Sequence, residues 1–166
     1  MAGFIMNNGA TTLVYFAVVF LIVIVAAGIY RGVKGQITIY RDYFDLGFTA
    51  GTFAMPVGLA WFGMYLGEPK LGIAVAILVF SIAIVIVVLR TFADNRNFLN
   101  TVHALITKSS LCLVFSLAIV EAFTGKNRPK RGAGALVALL IGPIMFALIK
   151  DRRDRDYAKI LRRFGA

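Results

Sequence analysis

Residues 71–89 read LGIAVAILVFSIAIVIVVL, nineteen positions whose only polar side chain is Ser81. A helix crosses about 30 Å of hydrocarbon with roughly 20 apolar residues, so the run is of spanning length. It does not alternate between apolar and polar positions, which removes a lipid-facing β-barrel from consideration, because barrel strands change sides at every residue. The expected fold is an all-α integral membrane protein, a bundle of about five transmembrane helices with a C-terminal amphipathic interfacial helix. Composition agrees: of 166 residues 60% are hydrophobic and 16% charged, with a mean hydropathy of +0.83. A soluble core of this size could not hide so much apolar surface.

Toward the N-terminus, GEPK (67–70) predicts a tight turn. Gly67 suits the left-handed end of one helix, and Pro69 suits the first turn of the next. Before it, residues 43–66 form a second span, flanked by Tyr40, Tyr43 and Phe44 at one end and Trp61, Phe62 and Tyr65 at the other, the pattern of two interfacial aromatic belts. Pro56 is expected to kink that helix. Residues 11–30 form the first span. The first thirty residues carry no charge, so the basic start of a signal peptide is missing and the run is expected to be retained.

Toward the C-terminus, Phe98, Leu99, Val102, Leu105 and Ile106 fall on one helical face and Asn100, His103, Thr107 and Ser110 on the other. This predicts an amphipathic start that enters the membrane near Lys108 and continues as a span over 104–123. A fifth span covers 132–149, with a break expected at Gly142-Pro143. In the tail, 150–166, Tyr157, Ile160, Leu161 and Phe164 recur at helical spacing, while Arg155, Lys159, Arg162 and Arg163 fill the other face. That is the pattern of a helix lying in the headgroup layer; a solvated basic tail is the alternative. Residues 1–166 are read as one membrane domain without a soluble module.

Lys and Arg total 18 against 8 acidic residues, a formal charge of +10. With five spans, thirteen of the basic residues fall on one side and five on the other. The positive-inside bias then places the C-terminus in the cytoplasm and the N-terminus outside an inner, cytoplasmic-type membrane. One turn opposes the bias: Lys126, Arg128, Lys130 and Arg131, between spans four and five, fall outside. Contact with anionic headgroups, a positive ring in a pore, or docking to an acidic partner would each suit it.

Four ionisable residues stand in or near the spans: Asp45, His103, Lys108 and Glu121. All lie close to predicted ends, so snorkelling to the interface is the expected behaviour. The face of Asn100, His103 and Thr107 is the candidate polar intramembrane surface. Asp42 and Asp45 beside Arg41 read as a neutralised interfacial cluster rather than a metal site. Gly47, Gly51 and Gly63 are the candidate helix-packing residues, since small residues let membrane helices approach closely.

Cys112 is the only cysteine, and no catalytic motif or cofactor cradle is visible. No cofactor and no metal are expected. The reading is of a non-catalytic multi-span subunit of a larger membrane assembly serving secretion, conjugation or transport. A small oligomeric channel or transporter with a basic or histidine-containing selective element is the alternative, and an intramembrane enzyme the third. Candidate partner, lipid or pore contacts are Lys126, Arg128, Lys130, Arg131, Arg155, Lys159, Arg162 and Arg163. Expected partners are anionic lipid headgroups and other membrane subunits or further copies of the chain, and not nucleic acid. Asn127→Cys in a Cys112-free variant should label with an impermeant thiol reagent only from outside. Labelling only from the cytoplasm would overturn the five-span topology.

Overall fold

The computed structural model describes residues 2–125 and 128–163, with the side chains of residues 2–10, 61 and 159–163 excepted. Six helices make up this part: α1 (Ala2–Val33), α2 (Tyr43–Tyr65), α3 (Pro69–Asn95), α4 (Phe98–Thr124), α5 (Arg128–Ala147) and α6 (Lys150–Arg163). α1 to α5 are each long and apolar enough to cross a membrane, and no strand occurs among the described residues beyond an isolated pairing of Tyr40 with Ile149.

Local chemistry sets the helix ends. The Asp42 carboxylate accepts from the Asp45 amide and opens α2, and Asn97 accepts from the Leu99 amide to open α4. Gly67 takes the left-handed conformation, φ +76°, and Pro69 begins α3, as the GEPK turn predicts. α3 ends six residues beyond the predicted span, with Arg96 at φ 53° as its left-handed cap. α2 passes Pro56 and α5 passes Pro143 without losing helical continuity. Arg128, Lys130 and Arg131 form the first turn of α5. Lys126 and Asn127 lie outside the described residues, as does Phe164. Lys159, Arg162 and Arg163 belong to α6, as the tail pattern predicts, with side chains outside the description.

Two hairpins, α2–α3 and α4–α5, carry the closest packing, and α4 also touches α1, α2 and α3. Gly63 behaves as a packing glycine: a methyl group added there would stand 2.5 Å from Gly72 Cα. Gly47 and Gly51 do not, since a methyl group at either meets nothing within 4 Å. Both face open space, although Phe53, two residues beyond Gly51, packs its ring on Phe80 of α3. The two glycines instead line apolar grooves on either side of α2, one shared with Phe115 and Ser116 of α4, the other with Val79 and Ile82 of α3.

The buried apolar cluster is not at mid-bundle. Ile37, Ile39 and Tyr40 of the α1–α2 loop join Leu46, Leu111, Cys112, Met145, Leu148 and Ile149 at one end. There the C-termini of α1, α3 and α5 meet the N-termini of α2 and α4. Elsewhere the helices show apolar side chains outward, with Leu13 to Val23 of α1 largely exposed, as lipid-facing surfaces require. Gly63→Val should force the α2–α3 hairpin apart and destabilise the chain by about 1–3 kcal/mol, read as thermal unfolding in detergent. Gly47→Ala should be close to neutral in the same assay.

Candidate functional site

The polar chemistry gathers under the α1–α2 loop. Lys108 on α4 donates to both carboxylate oxygens of Asp45 on α2, at 3.0 and 2.7 Å, and the two side chains are 0% and 1% exposed. The third ammonium proton points to Thr91 Oγ1 on α3, 3.4 Å away. The amide of Arg41 donates to Asp45 Oδ2 at 3.1 Å. The expectation that Asp45 and Lys108 snorkel to the interface is therefore wrong. Sixty-three residues apart in sequence, they neutralise one another in the interior, which spares each the cost of a lone buried charge. The Arg41–Asp42–Asp45 cluster is likewise taken apart: Asp42 caps α2, Asp45 turns inward, and Arg41 reaches Asp94 at 3.8 Å. Glu121 is exposed at the opposite end.

Tyr40 closes this site from the loop side. Its ring centroid lies 5.4 Å from Lys108 Nζ, a cation–π contact. Its hydroxyl sits 3.4 Å from the Lys108 carbonyl and 3.3 Å from Cys112 Sγ. Burial, with smaller contributions from Cys112 and Asp45, pushes this hydroxyl well above its usual value of 10.0. The folded chain thus keeps a proton that the unfolded chain releases, and this contribution to stability is lost as pH rises beyond 10.

Backbone pairing holds the loop down. Thr38 and Asn95 exchange two hydrogen bonds, Thr38 N–H to Oδ1 at 2.8 Å and Asn95 Nδ2 to the Thr38 carbonyl at 2.9 Å. The amides of Lys150 and Asp151 donate to the carbonyls of Tyr40 and Arg41. Arg153 donates to the carbonyls of Gly32 and Val33 at the end of α1.

The predicted polar face is present, and it is turned against α1. Arg31 donates to Asn100 Oδ1 at 2.8 Å and to His103 Nδ1 at 3.0 Å. A guanidinium can only donate, so Nδ1 accepts and the proton resides on Nε2, which donates to the Ile24 carbonyl at 2.9 Å. Thr107 is fully buried, and a methyl group added at Gly28 would overlap its hydroxyl. Asn100, His103 and Thr107 are thus an interhelical seam that docks α1 on α4. Among the candidate contact residues, Arg128, Lys130, Arg131 and Arg155 are exposed. Arg131 folds back on the Gly125 carbonyl, and Arg155 lies 6.0 Å from the Tyr43 ring centroid.

Lys108 and Asp45 line none of the grooves on either side of α2. Among the described residues, no three His, Cys, Asp or Glu side chains stand together as a metal site. Compared with known protein families, curated proteins and solved structures, the chain shows no significant match.

Removing one partner of the buried pair should cost far more than removing both. Lys108→Met should destabilise the chain by about 3–5 kcal/mol, while Asp45→Leu combined with Lys108→Met should recover most of that loss. Thermal unfolding in detergent measures both. A loss in the double variant equal to the sum of the separate Asp45→Leu and Lys108→Met losses would show that the two residues act independently.

Proposed function

We propose that this chain is a non-catalytic, multi-span subunit of a cytoplasmic-membrane assembly, with its N-terminus outside and its C-terminal α6 on the cytoplasmic face. The observation that carries the reading is the pair of grooves flanking α2. They are apolar, about 490 and 500 Å³ in volume, and lined by Gly47, Gly51, Ala50 and Ala54 among larger side chains. Small residues left uncovered within a chain suit the close approach of a helix from another chain, because association inside lipid depends on backbone proximity and packing.

The fate of the ionisable groups supports the same reading. Lys108, Asp45, Arg31 and His103 are all engaged within the chain. The polar face on which a channel reading relies is occupied by α1, which favours an assembly role over a conducting one. Orientation rests on the unequal distribution of Lys and Arg.

The test is the size of the particle that carries this chain when solubilised gently from its own membrane. The 18.1 kDa chain should migrate within a larger complex in a native gel. Gly51→Leu should break that complex without lowering the unfolding temperature of the isolated chain, since the site has room for a side chain. Gly132→Leu, at a similarly open position on α5, should leave it intact. A monomer in the native membrane extract, or a complex indifferent to Gly51→Leu, would overturn the proposal.

A further inference from the structure

At the elbow between α5 and α6, the chain changes within one turn from apolar to densely charged, with four basic and three acidic side chains in residues 150–156. Ile149, the last apolar residue before α6, is fully buried, and Lys150 begins α6. A cleft of about 590 Å³ opens at this corner, with Pro143, Phe146 and Ala147 on its α5 wall and Arg152, Arg153 and Tyr157 on its α6 wall. Asp156 also lines it and stands 4.0 Å from Arg152. Phe146 is shared with a second, apolar groove of about 250 Å³, where Tyr43, Gly47 and Ala50 of α2 face Gly142 and Met145 of α5. Arg155 lies against Tyr43 at the mouth of this groove.

We propose that the elbow binds one anionic phospholipid, its phosphate held between Arg152 and Arg155 and one acyl chain laid past Phe146 into the α2–α5 groove. Charge, depth and shape each bear on the choice of ligand. The cleft lining carries two guanidiniums, Arg152 and Arg153, against the one carboxylate of Asp156, with Arg155 beside it at Tyr43, and Arg forks match phosphate oxygens. Arg152 and Arg155 are three residues apart and so neighbours on one helical face. Arg153 is already committed to the end of α1 and contributes charge rather than a free donor. The amides that open α6 are used by Tyr40 and Arg41, so side chains must supply the donors. A free phosphate would leave the adjoining apolar groove empty, whereas an amphiphile fills both compartments. The cleft also lies where the apolar span ends, at headgroup depth in any bilayer that α5 crosses. The site rests on the membrane-spanning reading and needs no partner chain.

The test uses the full chain purified in mild detergent and offered equimolar phosphatidylglycerol and phosphatidylcholine, with bound lipid counted by native mass spectrometry. One phosphatidylglycerol should be retained in preference. Arg152→Gln with Arg155→Gln should reduce that preference about tenfold or more, the scale of one lost charge-assisted hydrogen bond. Gly142→Leu, which fills the groove without touching the basic rim, should reduce retention as well. Lys34→Gln with Arg96→Asn removes the same charge from the same end of the bundle and should leave the preference unchanged. Arg152→Gln alone, whose side chain is half exposed and pairs with Asp156 at 4.0 Å, serves if the double variant fails to fold. Equal retention of both lipids, or equal losses in the Lys34/Arg96 control, would overturn the site. Displacement of the lipid by glycerol 3-phosphate would identify a free-phosphate site and overturn it too.

Discussion

A lysine and an aspartate, both removed from solvent, cannot be left apart inside this bundle. Either alone would be a charge in low dielectric, costing several kcal/mol. Together, with Thr91 and the Arg41 amide satisfying what remains of their hydrogen-bonding capacity, they fix three helices relative to one another. Much else follows from that requirement. Tyr40 must cover the pair, so the α1–α2 loop must fold inward. The loop's carbonyls then need donors, and the first amides of α6 supply them. The ionic interaction therefore sets where the tail helix begins as well as how α2 and α4 meet.

The second polar cluster works differently. Around Arg31 the bonds run between side chains of α4 and both the side chain and backbone of α1, and Gly28 leaves no room for more than a hydrogen atom against Thr107. This seam joins α1 only near its C-terminal third. From Leu13 to Val23 the large apolar side chains of α1 are exposed. The bundle is thus tightly determined at one end and open along its flanks, an arrangement suited to a chain that meets other hydrophobic surfaces there.

The helices were readable from sequence because spanning length and continuous hydrophobicity are local properties. Runs such as 71–89 need no knowledge of their neighbours. The turn at Gly67 and Pro69 was equally legible, since backbone conformation at those residues is intrinsic. The ion pair was not. Asp45 and Lys108 each sit near a predicted end, where snorkelling is the ordinary outcome, and nothing local indicates that ends from different helices converge. The loop did leave a signal: in QITIY, Ile37 and Ile39 alternate with Thr38, a two-residue period that suits an extended segment with one buried side. Gly47 and Gly51 show the opposite limit. Their spacing matches a packing motif, but spacing cannot say how near a neighbouring helix comes, and among the described residues nothing stands within 4 Å of a methyl group at either.

The separation of the ion pair along the chain also bears on how the protein is made. Asp45 leaves the ribosome 63 residues ahead of Lys108, an interval of about 3–12 s at ordinary elongation rates. During that time Asp45 lacks the ammonium that pairs with it in the folded chain. The Gly63–Gly72 contact of the α2–α3 hairpin needs nothing made later than α3, whereas the ion pair at the start of α2 needs the third turn of the fourth helix.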